Sequence, residues 1–411
     1  MAKADPIETR EKVDQSVVPA YAWIILFVAL LAGVTAPLNQ FKVPPLMPVL
    51  MQRFQLDLGT VGLLMTIFAI TGFILALPAG VILQRLGPKT AGLIALSCLI
   101  AGSALGALSN SAELLLATRL IEGAGMGLIA VVAPALISIW FPPEKQGAPM
   151  GIWVTWVPLG RLIIFNLAPA VEKSAGWQAV WWIGAAFGLV AFILYGLLVR
   201  MPSRAVGRPQ PGAQPRHSET SPNLRQALAG RNIWLLGLSF ACFNLILVGT
   251  VSTFFPTFLT TERGYNLGSA SFITSIPSLV VVAAAPLAGC LSDRLGIRKP
   301  FLVIPSMAVA VFMLFPFSLN GWLIPAAMIL LGILAGFIPT ATFSAVSEVM
   351  GNPQLAGIGM GVIMLGQNFG QLLGPVIFGR LVETIGWVKA GYWMIPAAAI
   401  GIVAAWLTRM D

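Results

Sequence analysis

This sequence predicts an all-α membrane protein: twelve transmembrane helices in two pseudo-symmetric six-helix bundles, with the N- and C-termini both cytoplasmic. Three observations carry that fold class. The 411-residue chain is 57% hydrophobic and only 9% charged, with a mean hydropathy of +0.88, whereas a soluble domain carries roughly 25% charged residues. Apolar runs of about 20 residues, the length that crosses a bilayer core, recur along the whole chain. Sequence patterns of the first half return in the second.

The elements follow in order. Residues 1–18 hold Lys3, Asp5, Glu8, Arg10, Glu11, Lys12 and Asp14; that pattern is no cleavable signal and reads as a cytoplasmic tail. Apolar runs lie near 19–50, 60–84, 88–108, 112–141, 147–171 and 177–200, which make a first half of residues 19–200. Residues 201–229, with VGRPQPGAQPRHSETSPN, are rich in Pro, Ser and charge and read as a cytoplasmic linker. A second half, residues 230–411, carries runs near 231–260, 267–291, 300–319, 322–349, 356–382 and 386–408. Prolines interrupt several, notably Pro44, Pro45 and Pro48 in span 1, Pro134 in span 4 and Pro158 in span 5. Broken spans are tolerated where neighbours or a watery cavity satisfy the freed backbone. Trp177, Trp181, Trp182, Trp387, Trp393 and Trp406 stand near span ends and read as an interfacial belt.

Lysine and arginine placement sets the orientation. With the N-terminus cytoplasmic, sixteen cations fall on the inner segments and five on the outer ones, and Lys42, Arg119 and Arg161 remain at membrane depth. The formal charge of +9 does not point to nucleic acid, because the cations are scattered between apolar runs and form no single basic face. Cys98, Cys242 and Cys290 lie in apolar runs as packing residues. The one histidine, His217, cannot build a metal cluster. No nucleophile–base pair or cofactor loop is visible, so neither an enzyme nor a cofactor is expected.

The repeat is explicit. LPAGVILQRLGPK (77–89) matches PLAGCLSDRLGIRK (286–299) at an offset of 209, and Gly160 matches Gly370 at an offset of 210. Within those loops, Gly80-x-x-x-Gln84-Arg85-Leu86-Gly87-x-Lys89 and Gly289-x-x-x-Asp293-Arg294-Leu295-Gly296-x-Arg298-Lys299 resemble the loop motif of the major facilitator superfamily. Arg119-x-x-x-Gly123-x-Gly125 in span 4 resembles that family's arginine motif. The resemblance covers the whole chain. It implies a secondary transporter of a bacterial inner membrane, a monomer working by alternating access with its substrate site between the halves. It also implies a gating role for Gln84, Arg85, Gly87, Lys89, Asp293, Arg294, Gly296 and Arg298, a charge network at the cytoplasmic rim that holds the outward-open state. Gln84 stands where the motif has Asp, which weakens that copy.

Proton-coupled drug exporters of the superfamily carry a Gly-Pro pattern late in span 5. Here span 5 begins with Gly151 and Gly160 but continues with Arg161, Ile164 and Phe165. An efflux carrier for amphipathic compounds is therefore the second reading, and a non-transporting membrane sensor the third. The chain is similar in general look to small-anion uptake carriers, the cyanate-type group among them.

Arg161 is the residue that makes an anion the expected substrate. It sits about 15 Å from the nearer surface at 1.5 Å per residue, too deep to snorkel fully. An arginine there costs about 2.5–3.5 kcal/mol on the insertion scale. Glu122, three residues after Arg119 on one helix face, is expected to satisfy Arg119. Spans 1, 2, 5, 7, 8 and 11 have no mid-span carboxylate. Arg161 and Lys42 thus read as unpaired, and the missing partner as the substrate. Asn39, Gln40, Trp156, Asn244, Gln367, Asn368 and Gln371 stand at similar depth as groups that could orient an oxyanion. Arg119 completes the candidate site. The expected partners are a small anion and the bilayer.

Overall fold

A computed structural model describes residues 18–75, 78–142, 145–201, 230–295, 299–350 and 356–410. Most of the tail and nearly all of the linker expected from the sequence lie outside the described residues. Every regular element among those described is helical. Eleven helical stretches are long and apolar enough to cross a membrane, and Lys299–Phe312 is a shorter apolar helix where span 9 is expected. At 1.5 Å per residue its 14 residues reach about 21 Å, short of a bilayer core of roughly 30 Å. It tightens into turns before Pro316, as a residue preceding proline disfavours the helical region.

The broken spans break where the sequence removes a donor or adds a glycine. Span 1 is Ala20–Gln40 followed by Val43–Phe54. Pro44 and Pro45 cannot donate to the carbonyls of Gln40 and Phe41, so the helix steps sideways there. Gly87, at φ 75°, breaks the run Pro78–Ala107 into the end of span 2 and the whole of span 3, a turn that glycine makes without steric cost. Span 7 passes from Arg231–Asn244 through a π-helical stretch, Leu245–Ser252, into Thr253–Thr261. There the Thr253 hydroxyl reaches five residues back to the Val248 carbonyl, at 2.6 Å.

The sequence repeat has a packing counterpart. A Cβ on Gly160 of span 5 would lie 2.9 Å from both Val34 O and Leu38 N of span 1, so the two backbones touch. A Cβ on Gly370 of span 11 would press on Ala241 O and lie 2.8 Å from Leu245 N of span 7. The same glycine contact thus occurs twice, at corresponding places. Gly370→Ala is expected to destabilise by about 1–3 kcal/mol, because two backbones and no flexible side chain must give way. A denaturant titration of the detergent-solubilised protein measures it; an unchanged midpoint would mean that span 11 can slide along span 7.

The first six spans meet the last six along three lines. Leu58–Leu75 packs on Ala356–Ile385, Trp156–Ala175 on Leu267–Leu295, and Val43–Phe54 on Thr253–Thr261. The face bearing Phe54 is shut. Thr253–Leu259 and Val43–Met47 are buried throughout, and the Glu383 carboxylate accepts the Gly59 N–H at 2.8 Å.

Candidate functional site

The polar centre begins at the break in span 1. Gln40 O has lost its helical donor to Pro44, and Arg119 from span 4 supplies one, Nη2 donating at 3.0 Å. Arg119 Nη1 donates to Asn39 O at 2.8 Å and Nε to Leu64 O at 3.0 Å, with its Cζ 4.5 Å from the Phe68 ring centre. Arg119 Nη1 also pairs with Glu122 Oε2, the intrahelical contact expected from the i, i+3 spacing.

Glu122 has a second oxygen, and here the structure corrects the sequence reading. Lys42 is not unpaired: its Nζ lies 2.6 Å from Glu122 Oε1 and also donates to Asn39 Oδ1 at 2.9 Å and Ser103 Oγ at 2.8 Å. All three ammonium donors are taken, and Lys42, Arg119 and Glu122 are each 0% exposed. Ser103 passes the network on to the carbonyl of Trp181. Trp181 is itself fully buried, with Lys42 Nζ 4.7 Å from its ring centre, so it is a wall of this cluster and not a belt residue. Trp182, Trp393 and Trp406 are exposed, as belt residues are. Removing one partner of a buried ion pair is far more damaging than the pair's net worth, since a desolvated charge is left behind. Lys42, Asn39 and Arg119, expected at the substrate, are bonded in this structure to one another and to spans 1, 2, 3, 4 and 6.

An amide chain leads from this cluster to the last six spans. Gln40 Nε2 donates to Gln371 Oε1 at 3.0 Å, and Gln371 Nε2 to Asn244 Oδ1 at 3.2 Å. Spans 1, 11 and 7 are joined by buried side chains alone. Gln367 and Asn368 are half-buried on span 11, outside this chain, with Asn368 facing Gly72 of span 2. Trp156 is half-buried and stacks on Trp153 at 4.9 Å between ring centres.

Arg161 stands apart. It is 6% exposed, and among the described residues no carboxylate lies within 4 Å of it. Its Nη1 donates to Ser252 Oγ of span 7 at 2.8 Å and its Nε to Ser278 Oγ of span 8, while its Cζ is 5.6 Å from the Phe41 ring centre. Neutral hydroxyls satisfy geometry but cancel no charge. A guanidinium has five donors, and among the described residues Nη2 has no hydrogen bond. That nitrogen is left to donate a charge-assisted hydrogen bond to a carboxylate or sulfonate oxygen. Sequence reasoning missed the two serines. The available signal was Ser271, Ser275 and Ser278, which recur at helical spacing on one buried face of span 8.

The rim residues are less engaged. Gln84, Arg85 and Arg294 are exposed, and Lys89 is half-buried. No hydrogen bond or ion pair joins these four to another described residue. The Asp293 side chain, Gly296 and Arg298 lie outside the described residues.

The model of the Major Facilitator Superfamily matches residues 27–363 and 248–411. The chain is 24% identical over 392 residues to the hexuronate transporter of Bacillus subtilis (strain 168), covering 92% of each chain. It is 24% identical over 401 residues to the probable sulfoacetate transporter SauU of Cupriavidus necator, covering 93% of this chain and 92% of the relative. Among solved structures it is similar to a bacterial homologue of the human lysosomal transporter Spinster, in an inward-facing and unoccupied conformation. That likeness has a TM-score of 0.78 at 17% identity, covering 94% of this chain and 96% of that one.

Proposed function

Because the chain belongs to the major facilitator superfamily, we propose that it is a secondary carrier of a small organic anion, with Arg161 as the group that binds the anion. It is a multi-pass transporter of the bacterial inner membrane and not an enzyme. The observation that carries the anion reading is the buried guanidinium without a carboxylate. At an effective dielectric of about 20, an oxyanion at 4 Å contributes about 4 kcal/mol before desolvation is subtracted. Carboxylate and sulfonate groups, the anions in the relatives' names, can both accept from the open Nη2.

Rocking of the first six spans against the last six exposes Arg161 to each side in turn. With the cation-rich Gly87 face cytoplasmic, the molecule is closed to the outside, and Gln84, Arg85, Lys89 and Arg294 are not engaged with another described residue. Asp293, Gly296 and Arg298 belong to the same rim, which closes in the opposite state.

The test is a thermal-shift panel on the purified protein with D-galacturonate, D-glucuronate, sulfoacetate, nitrate, cyanate and tetraphenylphosphonium. A ligand at 100 times its Kd stabilises by about 2.7 kcal/mol. Stabilisation by the carboxylates or the sulfonate is the expected result. Stabilisation by the lipophilic cation alone would replace the anion reading with efflux of amphipathic compounds.

A further inference from the structure

We propose that this carrier is an obligate anion exchanger, held shut in its empty state by the hydrogen bonds from Arg161 to Ser252 and Ser278. The inference rests on the reading of Arg161 as the anion-binding group. It says what happens when no anion is there.

The bonds cross the moving interface. Arg161 stands on span 5, and its acceptors stand on spans 7 and 8. Opening the Phe54 face requires those spans to part, so both bonds must break. In the closed intermediate on the way, before water from the outside reaches it, the guanidinium is left charged, desolvated and without partners.

Little else in the described centre can take it over. Lys42, Arg119, Arg161 and Glu122 are the buried charged residues among those described. They sum to two net positive charges. Glu122 is the one carboxylate in that set, and both its oxygens are occupied by Lys42 and Arg119. No second buried carboxylate is present there to accept Arg161, or to pick up a proton on one side and release it on the other. An incoming oxyanion does what the serines do and also neutralises the charge. The loaded carrier therefore crosses in both directions, while the empty carrier stalls. Inward movement of one anion then requires outward movement of another.

Two measurements on the full chain test this. In proteoliposomes, uptake of radiolabelled D-galacturonate or sulfoacetate is expected to be at least tenfold faster when the same anion is inside than when the lumen is free of it. An inward proton gradient across anion-free vesicles is expected to leave that ratio in place. Uptake driven by the proton gradient alone, as fast as exchange, would overturn the proposal.

The second measurement needs no substrate. Spin labels on Gln52→Cys and Thr261→Cys, in a chain with Cys98, Cys242 and Cys290 replaced by alanine, report the distance across the Phe54 face. The empty protein is expected to show one short distance. Ser252→Ala with Ser278→Ala is expected to add a longer one, and Ser278→Thr, which keeps a hydroxyl, to leave it short. An unchanged distribution in the double alanine variant removes the lock. If neither probe anion moves under any gradient, the carboxylate and sulfonate reading fails, and the distances still decide the lock on their own.

Discussion

Replacing Glu122 by glutamine is expected to destabilise the protein by about 3–5 kcal/mol, the penalty for breaking a buried ion pair from one side. The carboxylate is shared by Lys42 and Arg119, and all three side chains are cut off from solvent. Glutamine keeps the shape and can still accept one hydrogen bond, but it leaves two buried cations facing each other. Combining Glu122→Gln with Lys42→Met removes one of them. The double variant is therefore expected to recover a good part of the loss, a coupling that a double-mutant cycle reads directly. Ser103→Ala, which removes one of three acceptors from Lys42, is expected to cost only about 1 kcal/mol. Chemical unfolding in detergent of the parent, Glu122→Gln, Lys42→Met, the double variant and Ser103→Ala measures all five proteins. A Glu122→Gln variant as stable as its parent would mean that water reaches the cluster and that its charges are not desolvated.

The second large effect concerns affinity. Arg161→Gln copies the residue at the corresponding place in span 11, Gln371. It is expected to weaken anion binding by a few kcal/mol, within the roughly 4 kcal/mol that the charge pair contributes before desolvation. Arg161→Lys is expected to lose less, because the charge survives and the planar fork does not. Stability is expected to change little or to rise in Arg161→Gln, since a costly mid-membrane charge disappears. If Arg161 were a strut, the order would invert: Arg161→Gln would melt early and still bind as well as the parent. Calorimetry and melting on the same two variants separate the outcomes.

Much of the fold was legible in the sequence because bilayer physics writes it there directly. Span 4, expected over 112–141, is the helix Ala112–Trp140. The break in span 1 was visible in its prolines, and the turn at Gly87 in its glycine. The site was half legible. A guanidinium at membrane depth is conspicuous in any reading, and Arg161 does lack a carboxylate. Lys42 was misread because helix spacing gave Glu122 wholly to Arg119, and a local rule has no means of placing a contact across 80 residues. Trp181 was misread because its position near a span end says nothing about which way the helix turns it. Ser252 reaches Arg161 from the π-helical stretch of span 7, a local departure from helical periodicity that composition does not announce. Serines in an apolar run are common, and only a partner across the interface marks these two out.

The Lys42–Glu122 pair also bears on how the protein is made. The two residues are 80 positions apart, and chain elongation proceeds at about 5–20 residues per second. Roughly 4–16 s therefore separate the synthesis of the lysine from that of its carboxylate. For that interval span 1 carries a bare ammonium, worth about 2.5–3.5 kcal/mol against insertion. Arg119 and Glu122 emerge almost together and enter as a neutral pair. The nascent first span must therefore linger beside the translocation machinery, or lie shallow, until span 4 arrives to complete it.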